Sequence, residues 1–540
     1  MKMHTDIAYG NGLALSQLII LVCALLVSFS AFAADPVIRK SAYEDGDNKI
    51  QLKVVKAGRR ALVTVSGVET GQVLGTFHAD KRGKLEQEIS LSSGQIVPCN
   101  IQVETSGGSA TRPLADAPAD CGGQDDGGGE TTPGHGDLVY AGPGTCLECH
   151  NEHALDVFDS THYQWKGEAP DMLNQTSLLQ GKHAGGVNTY CGNITGNWEG
   201  CSTCHVGRGA EPEAFPTPAQ LENIDCMVCH QDAYKRKRVA GVYQPDEANM
   251  SIGMDEAVQT VHKPTRASCL QCHAKAGGGD AVKRGDLALA TANTADQQYD
   301  VHMATTGADL NCQSCHVPEN HRFPGKASDI RPTDLGGVDL DCTTGGCHGS
   351  APHDSSEINQ HTEKVACQSC HIPIYAKNAN DSTATEAPEL HRSWQAGSDH
   401  AHAPFHPVLV KANNQVPVYR YWNRASDNYL LFDEVYEDWK TGTYHTSIPD
   451  GAADDPNSKL YPFKYKTSDY PLRTASNQLI ALDTSIFFAT ADADAAAVAG
   501  LENMGFNWDD DYQWVTTDTY QLLNHQVSPS DDALSCTACH

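Results

Sequence analysis

Cys146-Leu147-Glu148-Cys149-His150 recurs in this chain with other residues between its cysteines. The pattern Cys-x-x-Cys-His returns at Cys201, Cys204 and His205, at Cys226, Cys229 and His230, and at Cys269, Cys272 and His273. It comes again at Cys312, Cys315 and His316, at Cys367, Cys370 and His371, and at Cys536, Cys539 and His540. An expanded copy, Cys342-Thr-Thr-Gly-Gly-Cys347-His348, has four residues between its cysteines and stands sixth in order. Two thiols with a His directly after the second are the attachment signature of a c-type haem: the thiols form thioethers and the imidazole binds iron. One copy alone would be shared with zinc sites and redox pairs. Eight copies in one chain predict eight covalently bound haems.

Cysteine use and the N-terminus agree on compartment. An apolar run from Leu13 to Phe29 precedes Ala31-Phe32-Ala33, a small-x-small cleavage site, so residues 1–33 read as a secretory signal. No later stretch is long and apolar enough for a span, and the mature protein is expected in the periplasm or outside the cell. Of 20 Cys the motifs use 16, leaving Cys23, Cys99, Cys121 and Cys191. Cys99 and Cys121 suit a disulfide in an oxidising compartment, worth about 3 kcal/mol through loop-closure entropy. Cys191 is then an odd thiol. A net charge of −30 argues against nucleic acid and suits docking to a basic redox partner.

Residues 34–121 carry no haem motif. Lys49–Val54, Ala61–Val65, Gln72–Phe77 and Asn100–Glu104 alternate like half-buried strands, with Gly67, Gly71 and Gly75 between them. They predict a small all-β sandwich that resembles the immunoglobulin-like modules of bacterial surface and periplasmic proteins. Residues 122–137, Gly-rich and acidic, read as a flexible linker in which His135 is a solvated residue. Residues 138–540 read as the octahaem cytochrome c domain, mainly short helices and loops around a haem core. Helices are expected at Glu152–Asp159, at Pro218–Ile224 with Thr217 as cap, and at Ala491–Gly500. The motif-free segment from Ile372 to Asp532 reads as a cover over the haems, with extended pieces at Val416–Asn423 and Lys459–Lys466, and as a place for homo-oligomer contacts.

Each iron has a second axial position. Of 25 His, eight follow the motif cysteines and fourteen more lie within residues 138–540, enough to ligate every iron twice. Such bis-His haems carry electrons and do not bind substrate. Residues 231–290 hold nine Lys and Arg against seven acids, a +2 window in an acidic chain that would focus a small anion.

The strings between the motifs resemble those of the octahaem tetrathionate reductase family. They are CLECHNEHALDVFDSTHYQW from Cys146, NTYC from Asn188, CSTCHVGR from Cys201, IDCMVCH from Ile224, PTRASCLQCHAKAGGGDAVKRGDL from Pro264, DVHM from Asp300, VACQSCHIPIY from Val365 and NHQVSPSDDALSCTACH from Asn524. The resemblance spans residues 138–540 and leaves out the β module. It implies that one haem, held by Cys201, Cys204 and His205, takes a Lys as distal ligand, here Lys283, with Cys191 and Asn188 shaping the pocket. It also implies His162, His302, His321, His353, His361 and His525 as distal ligands, with a seventh to be found among His183, His402 and His406. The function implied is a periplasmic reductase. A quinol-linked or other periplasmic cytochrome would supply electrons through bis-His haems, and the Lys-ligated haem would reduce a small sulfur or nitrogen oxyanion such as tetrathionate or nitrite, or hydroxylamine. A non-catalytic electron conduit is the alternative.

Overall fold

The computed structural model describes residues 36–44, 48–68, 73–91, 97–117, 134–173, 179–325, 327–329, 332–335, 338, 340–381, 387–399 and 404–540. The expected signal, Cys121, His402 and most of the expected linker lie outside them. The chain folds as two units, Met1–Gly128 and Gly129–His540. No helix among the described residues is long and apolar enough to cross a membrane.

The first unit contains β1 (Val37–Glu44), β2 (Lys49–Val55), β3 (Leu62–Gly67), β4 (Val73–His78), β5 (Leu85–Ser90), β6 (Asn100–Thr105) and β7 (Gly108–Pro113). One antiparallel sheet has the order β1-β2-β5, the other β4-β3-β6-β7. Alternation does what the sequence pattern requires: Ile50, Leu52 and Val54 of β2, Val63 and Val65 of β3, and Ile101 and Val103 of β6 point inward and are buried together. Each such side chain contributes about 2 kcal/mol of apolar burial. A parallel bridge from Ala42 to Ala115 ties β1 to the chain after β7. Cys99 is disulfide-bonded. None of the other described cysteines is its partner, since all of them are free thiols.

The second unit keeps the expected short helices, but it is not built of helices and loops alone. The motif-bearing half, up to His371, is built from short helices and turns. Thr217 caps Pro218–Glu222 through the Gln220 N–H, and Thr265 and Ser268 close a capping box on Arg266–His273, which carries the fourth motif. The half after Ala387 is dominated by a ten-stranded sheet. Its central path runs Phe405–Lys411, Glu389–Asp399, Lys459–Arg473, Tyr512–Leu522 and Thr443–Pro449. The helix pattern gave no hint of this sheet. Its strands come from a segment rich in Tyr, Thr and Lys whose apolar positions are few, so period-two alternation is legible only at Val416–Asn423 and Lys459–Lys466. Trp394, Tyr470, Leu472, Leu482 and Phe487 fill the space between the sheet and the helices Thr484–Thr490 and Ala493–Asn503.

The long strand Lys459–Arg473 positions the site. From Phe463 to Tyr470, Lys464, Lys466, Ser468 and Tyr470 are buried, while Tyr465, Thr467 and Asp469 are half-exposed. Two lysines therefore point from one strand into the same interior.

Candidate functional site

Seven motif histidines face a second histidine. Ring centroids are 6.0 Å apart for His150 and His135, 6.3 Å for His230 and His321, and 6.1 Å for His273 and His162. They are 6.5 Å apart for His316 and His525, 6.1 Å for His348 and His302, 6.0 Å for His371 and His353, and 6.0 Å for His540 and His361. Two imidazoles on opposite sides of one metal, each bound at about 2 Å, set their centroids roughly 6 Å apart. The residues fit iron on a second count. Nδ1 of His230 is bonded to His262 O at 2.9 Å, that of His316 to Pro324 O at 3.0 Å, that of His361 to Glu357 O at 2.8 Å and that of His525 to Asp286 at 3.2 Å. A metal-binding His characteristically gives its other N–H to a carbonyl or carboxylate, which fixes the tautomer and aims Nε2.

The structure thus brings together His162, His302, His321, His353, His361 and His525 with motif histidines, and puts the seventh partner at His135. His135 was read as a solvated linker residue, and here that reading is corrected. No residue-type pattern marked it, because a His in a Gly-rich acidic stretch carries no periodicity. His153, also 5.7 Å from His150, lies three residues along the same helix, where side chains stand side by side and cannot flank a porphyrin. Of the other contenders, His406 stacks on Phe488 at 6.0 Å and His183 lies 3.7 Å from Glu211.

Contacts among motif cysteines give the order of the motifs in space. Cys146 touches Cys226, Cys204 touches Cys272, Cys269 touches Cys312 and Cys342 touches Cys367. Cys229 lies in the field of Cys269 and Cys272, Cys315 near Cys347 and Cys370 near Cys539. The motifs run first, third, fourth, fifth, sixth, seventh, eighth, with the second beside the fourth.

His205, of the second motif, is the exception. Its ring is fully buried between Tyr163, Trp165 and Trp198, with centroids 5.1, 5.1 and 5.5 Å away. Nε2 donates to Tyr163 O at 2.5 Å, and Nδ1 accepts from the Gly207 N–H at 3.1 Å. Both nitrogens are spent on backbone in this conformation, and burial pushes the imidazole down to about 4.

A buried cluster of charge reaches the second motif through Cys191, which lies near Cys201, Arg392 and Lys466. Lys283 Nζ is 3.1 Å from Asp329; burial pushes the amine below its ordinary value while Asp329 resists the shift. Asp329 also accepts from Gln521 at 3.1 Å, and Gln521 accepts from the Tyr190 hydroxyl at 2.9 Å. Lys464 Nζ donates to that hydroxyl at 3.1 Å, to Val282 O at 3.0 Å and to Lys283 O at 2.6 Å. Its donors meet neutral acceptors there, so burial drives it well below the usual lysine range. Lys466 lies 3.1 Å from Glu389 and donates to Thr189 Oγ1 at 2.8 Å; burial brings it to about 8. Arg392 forks onto Glu389 and reaches Tyr190 O. Burial alone would raise Glu389, but Lys466 and Arg392 outweigh it and hold the carboxyl below its ordinary value.

Cys191 sits at the edge of this cluster, within the fields of Cys201, Arg392 and Lys466. Asn188 holds it there: its Oδ1 accepts from the N–H of Tyr190 at 3.1 Å and of Cys191 at 3.3 Å. Asn188 is the hinge of the turn that presents the thiol. Gly192, at φ +69, completes the turn because a Cβ there would strike the Tyr470 hydroxyl.

Lys464, Lys466, Arg392, Glu389 and Tyr190 were missed in the sequence. The +2 window proves mostly paired. Arg236 clamps the second motif through the carbonyls of Thr203, His205 and Gly207 and the Asp225 carboxylate. Arg238 meets Glu199, Arg266 meets Asp309 and Arg284 meets Asp286. The alternating lysines at 464 and 466 were the available signal, since a strand that points two amines inward must have something for them to do.

Paired imidazoles behind repeated Cys-x-x-Cys-His define a multihaem c-type cytochrome with covalently bound haems. Residues 385–540 match the family model described as bacterial cytochrome c. The chain belongs to one family with an uncharacterized protein of Archaeoglobus fulgidus, 30% identical over 229 residues that cover 34% of this chain and 75% of the relative. Its fold is similar to the crystal structure of an octaheme cytochrome c from Shewanella oneidensis, with a TM-score of 0.61, 29% identity, and coverage of 74% of this chain and 90% of that one.

Proposed function

We propose that this chain is an exported, periplasmic octahaem reductase of the tetrathionate reductase type. The seven histidine pairs would hold haems that conduct electrons, and Cys201, Cys204, His205 and Lys283 would hold the haem that supplies them to a small sulfur or nitrogen oxyanion. The observation that carries this reading is the exception among the motifs: among the described residues His205 alone has no histidine opposite it, and the cluster of Lys283, Lys464, Lys466 and Arg392 reaches its motif through Cys191.

A haem with an exchangeable position passes electrons to a bound substrate, as the fully bis-His ones do not. The chain's own groups do the rest. With Lys283 a ligand and Lys464 neutral, Lys466 and Arg392 are the cluster's cations, and their charge exceeds that of Glu389 and favours a negatively charged ligand. Cys191 and its Asn188 turn shape one wall. Tyr190, fixed by Lys464 and Gln521, holds a proton at its hydroxyl. The strand order β1-β2-β5 against β4-β3-β6-β7 supports an immunoglobulin-like reading of the first unit, which we assign to docking. A quinol-linked or other periplasmic cytochrome is the proposed electron donor.

The test is oxidation of a reduced viologen by haem-loaded protein, offered tetrathionate, nitrite, hydroxylamine and sulfite separately. Turnover that falls at least a hundredfold in Lys283→Ala supports the reading. No turnover from fully loaded protein makes the chain an electron conduit.

A further inference from the structure

An open cavity of about 760 Å³ lies beside the second motif, lined by Lys182, His183, Asn197, Trp198, Phe432 and Asp483 among others. Trp198 and Asn197 are part of the approach to Cys201, since the helix Trp198–Cys201 starts the motif and Asn197 caps it through the Gly200 N–H. Trp198 is also one wall around His205, so the cavity and the motif share it.

The ionic character of the lining is uneven. Glu199 and Glu211 expose 78% and 58% of their side chains, and Glu199 is paired with Arg238. Asp483 caps Thr484–Thr490 and accepts from Asn503. These carboxylates face solvent or are already used, and exposed charge is screened. Lys182 is different. It is half-buried, has no carboxylate partner among the described residues, and lies 4.8 Å over the Trp165 ring. Its charge is felt at Cys201, Cys204 and Lys283. The loop is made to hold it there: Gly181, at φ +133, brings the backbone so near Trp165 O and Lys166 that no Cβ fits, and the His183 N–H bonds Trp165 O at 3.1 Å.

We infer that this cavity is the entrance to the second-motif site and that Lys182 is its specificity-determining residue, admitting small, singly charged oxyanions of the nitrite class. The inference rests on the reductase reading and adds the route and the preferred charge. One unpaired ammonium behind a rim of screened carboxylates suits one negative charge and a small body. A dianion such as tetrathionate would need a second free cation to be held as well, and none lines the cavity among the described residues, so nitrite is preferred among the substrates named above.

The test is nitrite binding to the oxidised, haem-loaded protein, followed by visible absorption, together with KM and kcat for nitrite and for neutral hydroxylamine. Lys182→Gln is expected to weaken nitrite binding and raise its KM about tenfold, the loss of one charge-assisted hydrogen bond. The hydroxylamine KM and both kcat values should stay put, and Lys182→Arg should restore most of the affinity. Thr195→Trp, a plug on an exposed lining residue, is expected to slow nitrite association severalfold with haem content unchanged. If wild type binds nitrite and Lys182→Gln and Thr195→Trp do so equally fast and tightly, the entrance lies elsewhere and this inference falls. If wild type neither binds nor turns over any substrate, the reductase reading fails first and the entrance falls with it.

Discussion

At the scale of single residues, His135 and Lys466 make the strongest claims. His135→Ala should leave the haem of the first motif without its second imidazole. With a haem on each of the eight motifs, as proposed, one should turn high-spin, visible by electron paramagnetic resonance at about an eighth of total haem, while bound haem and the other seven low-spin signals persist. An unchanged spectrum would return His135 to the solvated role its sequence context suggested. For Lys466, burial lowers the amine from 10.5 to about 8. Between those values the unfolded chain holds a proton that the folded chain does not, so stability rises with pH across that window. The urea midpoint of wild type relative to Lys466→Met should therefore climb from pH 8 to pH 10.5. The motif histidines and six of the histidines that face them could be picked out from the sequence, because chemistry ties them to a fixed spacing or to recognisable strings. Lys466 could not, since nothing in Lys-Tyr-Lys says which side of a strand is the inside.

At the scale of the element, the strand Lys459–Arg473 and its parallel neighbour Glu389–Asp399 are one electrostatic unit. Glu389 answers Lys466 and Arg392 while fully buried itself. Removing one partner of such a group leaves uncompensated charge in a low-dielectric interior, which costs about 3 kcal/mol or more. Glu389→Ala should lose that much in chemical denaturation, or fail to accumulate loaded with haem. Adding Lys466→Met should recover part of the loss, because the second change removes a charge the first one stranded. Equal effects for the single and double variants would mean that Glu389 acts only as a steric filler. The strand's existence was legible as Lys459–Lys466, yet its length of 15 residues and its place at the centre of a ten-stranded sheet were not. Sheet neighbours are chosen by long-range packing, and this segment shows too few apolar positions for their period to betray the partners.

At the scale of the whole molecule, the motif contacts draw a line with a branch. From the first motif to the eighth the line passes through the third, fourth, fifth, sixth and seventh, and the second motif is reached from the fourth, where Cys204 meets Cys272. On the proposed reading, an electron held anywhere on the line would pass the fourth motif before it reached the second. The consequence can be measured. His162 stands opposite His273 of the fourth motif, and His361 opposite His540 of the eighth. Thioether in place of imidazole raises a haem potential, so His162→Met should make a haem on the fourth motif a trap at the branch point itself. When protein reduced in all its haems is mixed with an accepted substrate, this variant should reoxidise slowly in nearly every haem. His361→Met applies the same chemistry at the end of the line and should slow one haem only. Two variants that reoxidise alike would mean that the second motif draws electrons from somewhere other than the fourth, and the branch would have to be redrawn.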